Sequence, residues 1–215
     1  MSAVAVFFLF AASLSVSPDP KNNASKPIGP DAVFKPASNF IDALHASCGT
    51  QSGDALGECF AAQMKKAGAS PAALAFTRRM GNQAYLSSLR ETGRVDVALA
   101  VYPFRANENW VWLLVNGTPP IVDVWDVAPL QKLLEPNSVY KTLRLDNTKI
   151  LVFPRSTKDG PRVLPSPEGQ RFAAVYDLKD CHACKPLGYA AVAYVFDAAG
   201  NFVGPELGQV KPYYH

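Results

Sequence analysis

The spacing of apolar residues in this 215-residue chain changes at Gly93, and this change constrains the fold more than any other feature. Before Gly93, apolar residues recur at intervals of three and four, as in Leu56, Cys59 and Phe60, which is typical of amphipathic helices. After Gly93, apolar residues alternate with others over residues 95–101, as in a strand with one buried face. The sequence therefore predicts an α+β protein whose helices precede its strands.

The helical part covers residues 31–93 and contains three helical segments. The third begins at Ser70 and Pro71, since serine is a favoured N-cap and proline is favoured at the first helical position. The helical spacing of apolar residues in this segment continues towards Leu89. Gly81–Asn82 lies inside this segment, and the sequence leaves open whether it divides the segment into two helices.

The part after Gly93 predicts about eight short strands and one short helix that follows Asp126. The predicted strands are 95–101, 109–115, 121–125, 139–145, 149–153, 171–178, 189–196 and 201–203. Residues 109–115 are apolar at nearly every position, which fits a central strand covered on both faces. Strands and helices do not alternate regularly, which disfavours a parallel doubly wound sheet. We therefore expect N-terminal helices packed on an antiparallel, largely meandering β-sheet.

The N-terminus predicts export. Residues 3–16 are uncharged and mostly apolar, and fourteen residues of helix reach only about 21 Å, against roughly 30 Å of bilayer hydrocarbon. We interpret residues 1–17 as a signal peptide, 18–30 as a flexible tether with four prolines, and 31–215 as a single α+β domain. No basic residue precedes the apolar run, so a buried or interfacial N-terminal helix remains the alternative. The expected location is periplasmic or secreted, with no stable membrane span after leader removal.

Four cysteines follow the predicted leader: Cys48, Cys59, Cys181 and Cys184. An even number in an exported chain indicates disulfides, and four thiols permit three pairings. We expect local pairing, in which Cys48–Cys59 staples two helical segments and Cys181 pairs with Cys184. Pairing of the last two cysteines with the helices remains open.

Cys181-x-x-Cys184 also has the form of a thiol–disulfide exchange site, with His182 as proton shuttle or thiolate stabiliser. Such a site needs a helix directly after its first cysteine. Here residues 185–188 interrupt, and the strand period resumes at Tyr189. A thiol–disulfide oxidoreductase is therefore the alternative function.

A structural zinc site is a second alternative for the cysteines. The ligand set would be His45, Cys48, Cys181 and Cys184, one nitrogen and three sulfurs in tetrahedral coordination. It would leave Cys59 without a partner, and export disfavours it. We expect no cofactor.

The segment Asp180-Cys181-His182-Ala183-Cys184 resembles one in uncharacterised exported bacterial envelope proteins. The resemblance covers five residues and supports an exported α+β protein. It implies no activity and no functional residue.

The three tryptophans, Trp110, Trp112 and Trp125, are candidates for lining a ligand groove, because indole offers a flat apolar face and one hydrogen-bond donor. Core packing is the competing interpretation, since Trp110 and Trp112 share a strand face with Leu114.

The carboxylates Asp123, Asp126 and Glu135 could form a glycosidase-like pair. Solvated turn residues and a helix cap are the simpler interpretation.

The composition and net charge limit the classes of protein and of binding partner that fit this chain. The chain is 48% hydrophobic and 18% charged, which excludes a polar disordered chain and a polytopic membrane protein. Its net charge of +3 is small and its basic pairs are scattered, so we expect no nucleic acid. The sequence predicts an exported, non-enzymatic binding or inhibitor-type protein whose partner is an unknown protein or small-molecule ligand.

Overall fold

A computed structural model of the chain describes residues 28–107, 109–146, 149–155 and 157–213. The predicted leader and residues 18–27 of the predicted tether lie outside the described residues. Within those ranges, no helix has the length and apolar character needed to cross a membrane.

Five α-helices and one short 3-10 helix are present in the described ranges. They are the 3-10 helix Pro30–Ala32, α1 Phe40–Cys48, α2 Gly53–Lys66, α3 Pro71–Arg79, α4 Ala128–Leu134 and α5 Ser138–Asp146. The predicted start of the third helix is confirmed: the Ser70 hydroxyl accepts a hydrogen bond from the Ala73 N–H, and Pro71 is the first helical residue.

The strands form two antiparallel sheets. Sheet 1 contains β1 Tyr85–Arg90, β2 Asp96–Val101, β3 Trp110–Val115 and β4 Ile121–Asp123, paired in chain order. Sheet 2 contains β5 Leu151–Pro154, β6 Arg162–Leu164, β7 Gly169–Lys179, β8 Gly188–Asp197 and β9 Phe202–Pro212. Its order is β5-β7-β8-β9, with β6 paired to β7 beside β5. The α+β class and the antiparallel meander are confirmed, with nine strands in two sheets where about eight in one sheet were expected.

The predicted continuation of the third helix towards Leu89 is wrong. Helix α3 ends at Arg79, and the backbone turns left-handed at Gly81 (φ 64°) and Asn82 (φ 55°), a conformation that no α-helix accommodates. Residues 85–90 then form β1, which pairs with β2. Their apolar spacing fits a helix as well as a strand, and pairing with β2 decides between the two.

The predicted strand over residues 139–145 is also wrong, because Ser138–Asp146 is helix α5. The Asn137 side chain accepts a hydrogen bond from the Tyr140 N–H at its start. Val139 and Leu143, one turn apart, pack on the core, and Tyr140 is buried in it. Their spacing of four matches a helix face, which short-range alternation obscured.

Strand β9 is longer than the three residues predicted at 201–203. It pairs with β8 from Phe202 to Pro212, with two bulges in the pairing. The glycines and charged residues of this segment weaken its strand pattern, so the pairing with β8 sets its length.

Sheet 1 is the middle layer of the molecule. One face, with Leu113 and Val115, packs on α3 and the 3-10 helix, and the other, with Trp112 and Leu114, packs on sheet 2, α4 and α5. The predicted covering of residues 109–115 on both sides is therefore confirmed.

Ile28, inside the segment predicted as a tether, is packed against the folded part of the chain. Ile28 is 2% exposed, and its backbone N–H and C=O both bond to the Asn116 side chain. Residues 28–30 therefore belong to the folded part of the chain.

Candidate functional site

A cleft of about 280 Å³ opens beside β7, against the described part of the loop between β5 and β6, residues 155 and 157–161. Its described lining residues are Trp112, Val124, Trp125, Pro154, Arg155, Thr157, Gly160, Pro161, Arg162, Ala173, Ala174, Val175, Tyr176, Tyr189, Ala191 and Gln209. Two of the three tryptophans singled out in the sequence therefore meet here, with two arginines and two tyrosines.

The cleft exists because two short strands share one edge of β7 and leave a gap between them. Strand β5 pairs with β7 from Tyr176 to Lys179, and β6 pairs with it from Arg171 to Ala173. Ala174 and Val175 lie between the two ladders, and the Arg155 N–H donates to the Val175 carbonyl oxygen at 2.8 Å. The side chains in this gap are small, so the loop covers a hollow.

Trp112 contacts the described part of the loop through a hydrogen bond and through the face of its ring. Its indole N–H donates to the Thr157 carbonyl oxygen at 3.2 Å, and its side chain is 8% exposed. Gly160 lies directly on the indole, with φ of 68°, and a Cβ there would lie 2.5 Å from Cδ2 of the ring. Arg90 secures the far end of the loop by donating to the carbonyl oxygens of Asp159 and Pro161.

Trp125 forms a more open wall of the same cleft. It is partly buried, and its ring centroid lies 5.7 Å from that of Trp110, which is outside the lining. The Asp123 carboxylate accepts a hydrogen bond of 2.7 Å from the Trp125 N–H. All three tryptophans pack on the core, and two of them also line the cleft.

The arginines differ in their partners. Arg155 forms an ion pair of 2.5 Å with Asp177, hydrogen-bonds to the Tyr213 hydroxyl and lies 5.5 Å from the centre of the Tyr189 ring. Burial lowers the pKa of Arg155, but its bonds to Asp177 and Tyr213 outweigh burial and raise the pKa overall. Arg162 is exposed and forms no ion pair with the described residues.

No acidic side chain stands among the described residues that line the cleft. Since Asp177 neutralises Arg155, the cleft retains the charge of Arg162. The described lining residues therefore carry one positive charge that no described ion pair neutralises.

A buried pair of tyrosines supports the cleft. The Tyr176 and Tyr194 hydroxyls lie 2.6 Å apart, and both contact the Val124 carbonyl oxygen. Burial raises the pKa of both hydroxyls, so both are neutral at physiological pH. They hold the segment that carries Trp125 against sheet 2.

The disulfides are local, as predicted. Cys48–Cys59 joins the end of α1 to α2, and Cys181–Cys184 closes a turn in the loop between β7 and β8. No helix follows Cys181 before β8 begins, and His182 is exposed, with its ring 5.3 Å from that of Phe153. The prediction that the chain continues from this turn into a strand, with no helix directly after Cys181, is confirmed.

The predicted zinc ligands do not come together. Cys48 is bonded to Cys59, and the His45 ring packs on Phe104 at 5.2 Å. Among the described residues, one group of three metal-ligating side chains lies within reach of a common ion: Asp180, Cys181 and Cys184. Sequence reasoning singled out the two cysteines but not Asp180, although it directly precedes Cys181.

The three carboxylates serve local structure. Asp126 accepts a hydrogen bond of 3.1 Å from the Ala128 N–H at the start of α4, and Glu135 follows the end of the same helix. Asp123 is half-buried at the end of β4, so the expectation of a solvated turn residue is wrong for it. Burial raises the pKa of its carboxyl.

A second cavity, of about 500 Å³, lies between the start of α2 and the turn after α3. Asp54, Glu58 and Arg105 are among its lining residues, so it holds both signs of charge. The Arg105 guanidinium lies 3.4 Å from the centre of the Tyr102 ring. The sequence gives no pattern for this cavity, because tertiary contacts alone bring the two helical turns together.

Comparisons with protein-family models, with curated proteins and with solved structures gave no match. The proposed function is therefore inferred from the residues of this chain alone.

Proposed function

We propose that this protein is an exported binding protein whose cleft beside β7 takes a small ligand made of one ring and one carboxylate. One observation carries the proposal: Trp125 and Arg162, which forms no ion pair with the described residues, line the same cleft.

The ring fits the aromatic side of the cleft. Indole faces bind flat apolar surfaces, whether an aromatic ring or the hydrophobic face of a sugar. The volume of about 280 Å³ lies at the small end of ligand pockets, which favours one ring over an extended chain. Trp112 and Gly160 hold the loop in place before the ligand arrives, which reduces the entropy lost on binding.

The carboxylate fits Arg162. A guanidinium presents a planar pair of N–H donors that matches the two oxygens of a carboxylate. Arg155 already bonds to Asp177 and Tyr213, so it acts as a wall of the cleft. The exposed Gln209 amide on β9 offers a further polar group at the rim.

The proposed cellular location rests on the two disulfides and on the predicted signal peptide. Two disulfides fit a protein that works in an oxidising compartment. We propose secretion to the periplasm or the exterior, with residues 1–17 removed. Mass spectrometry of the protein from the periplasmic and culture fractions tests this, since a mature chain that still starts at Met1 contradicts it.

Tryptophan fluorescence tests the cleft. Glucuronate and phenylacetate are titrated beside their uncharged counterparts, glucose and phenylacetamide, so that ring type and charge vary separately. We expect a saturable change with at least one carboxylate and binding at least tenfold weaker for its uncharged counterpart, because a hydrogen bond to a charged group is worth about 1.5–3 kcal/mol.

Two matched arginine variants locate the binding. Arg162→Gln removes the cleft charge, whereas Arg171→Gln removes an arginine on β7 that pairs with Glu206 outside the cleft. We expect loss of carboxylate binding in the first and wild-type binding in the second. Equal affinity in Arg162→Gln and wild type, or no saturable change with either carboxylate, contradicts the proposal.

A further inference from the structure

The loop between β7 and β8 gathers three groups that ligate metal ions. The Asp180 carboxylate and the sulfurs of Cys181 and Cys184 all lie within 4.8 Å of one another. Tetrahedral zinc with bonds of about 2.3 Å to sulfur and 2.0–2.2 Å to oxygen needs ligand atoms about 3.5–3.8 Å apart. Loss of the S–S bond and small side-chain rotations bring the three atoms into that range.

The backbone holds this arrangement independently of the disulfide. Leu178 pairs with Gly188 at the end of the β7–β8 ladder, and the Leu187 N–H donates to the Leu178 carbonyl oxygen at 2.8 Å. A further hydrogen bond, from the Cys184 N–H to the Cys181 carbonyl oxygen, closes the turn. The loop therefore keeps its ends together when the sulfurs separate.

The cluster is accessible to solvent. Asp180 is exposed and both cysteines are partly exposed, whereas Cys48 of the other disulfide is fully buried. Cys59 is also partly exposed, so a reductant has access to the Cys181–Cys184 bond through either sulfur and to the Cys48–Cys59 bond through Cys59 alone.

We propose that reduction converts this loop into a zinc-binding site with Cys181, Cys184 and Asp180 as ligands. A dithiol reductant supplies two electrons and two protons: the S–S bond breaks, two thiols form, and the reductant becomes a disulfide. Zinc then replaces the two thiol protons, which pass to solvent. Three protein ligands leave the fourth position to water.

Cobalt(II) is the probe, because sulfur–cobalt bonds give a charge-transfer absorption that zinc lacks. The full-length protein is reduced with a dithiol, freed of the reagent without oxygen and titrated with cobalt. We expect one equivalent to bind with the thiolate band, zinc to displace it, and the oxidised protein to give no band. A reduced protein without a stoichiometric band overturns the proposal.

Variants identify the ligands. Asp180→Asn is expected to weaken binding by at least about tenfold, since loss of even an outer-shell partner weakens metal affinity by about 10–100-fold. Glu168→Gln, an exposed acid just before the opposite end of β7, is the control and is expected to bind like wild type. Wild-type affinity in Asp180→Asn, or a thiolate band retained in Cys181→Ser/Cys184→Ser, overturns the site.

Discussion

At the residue scale, the contact between Gly160 and Trp112 shapes the cleft. Gly160 has a positive φ and lies against the indole, and the neighbouring Thr157 carbonyl accepts the indole N–H. A glycine is needed twice here, once for the backbone conformation and once for the close approach. The loop therefore covers the gap in β7 only because one position has no side chain.

Gly160→Ala tests this contact. We expect a loss of unfolding free energy of about 1–3 kcal/mol, because the added methyl lies 2.5 Å from the indole and must displace the loop. Gly81→Ala is the matched control, since Gly81 has a similar φ of 64° but no atom within 4 Å of its Cβ position. Urea denaturation measures both, and equal losses in the two variants would refute a contribution from the ring contact.

Asp123 gives the protein a specific pH dependence. Burial raises the pKa of its carboxyl above the ordinary value of 3.8, so the folded state binds this proton more tightly than the unfolded state. The contribution of Asp123 to stability is therefore most favourable at low pH and declines as pH rises from 3.8 through the folded pKa.

Asp123→Asn is expected to remove this decline. Its amide oxygen still accepts the Trp125 N–H and carries no charge to desolvate, so the variant gains stability relative to wild type as pH rises. Thermal unfolding at several pH values measures the difference. Asp159→Asn, in an exposed loop, controls for net charge, and the same pH response in both variants would contradict the prediction.

At the element scale, the two disulfides close loops of different length. Cys48 and Cys59 are 11 residues apart and join two helices, whereas Cys181 and Cys184 are 3 apart within a turn that the β7–β8 ladder already closes. The longer loop removes more entropy from the unfolded chain. The first bridge therefore stabilises the helical layer, and the second contributes less to the fold.

Paired alanine variants measure this difference. Cys48→Ala/Cys59→Ala is expected to lower the unfolding free energy by about 3 kcal/mol, and Cys181→Ala/Cys184→Ala by about 2 kcal/mol or less. Guanidinium denaturation of both variants under oxidising conditions gives the values. A larger loss from the second pair would mean that the turn depends on its disulfide, against the order expected from loop length.

At the scale of the whole molecule, sheet 1 contributes side chains to two hydrophobic cores, one on each of its faces. Leu113 and Leu114 are adjacent in β3 and fully buried, but Leu113 faces the helical layer and Leu114 faces sheet 2. Strand β3 thereby couples the N-terminal helices to the cleft-bearing sheet. We expect the described layers to unfold as one cooperative unit.

Leu113→Ala tests that coupling. Its expected cost is about 2–5 kcal/mol, as for a large buried side chain cut to alanine, although it lies on the face opposite Trp112. Far-UV circular dichroism reports the helices, and tryptophan fluorescence reports the sheet 2 side. Both signals are expected to shift to the same lower midpoint, and separate midpoints would show independent units.

Local chemistry made much of the fold predictable. The Ser70 cap, the apolar run of β3 and the short loops between cysteines each act through near neighbours, so the start of α3, the central strand and both disulfides followed from sequence. Two errors arose where long-range pairing decides, since β1 depends on β2 and the length of β9 depends on β8. A third, at α5, arose because short-range alternation obscured a helical spacing. Asp180 was missed as a ligand because acidic loop residues are common and only its distance from the sulfurs distinguishes it.

The sequence alone determined the α+β class, the first helices and the local pairing of the cysteines, because periodicity, capping and short loops act over a few residues. Tertiary structure alone decided that the strands separate into two sheets and that a gap in β7 forms a cleft. Trp112, Trp125, Arg155 and Arg162 meet there across as many as 50 positions of the chain. The periodicity of the sequence does not predict that these four residues lie together, because the packing of side chains from both sheets brings them into contact with one cleft.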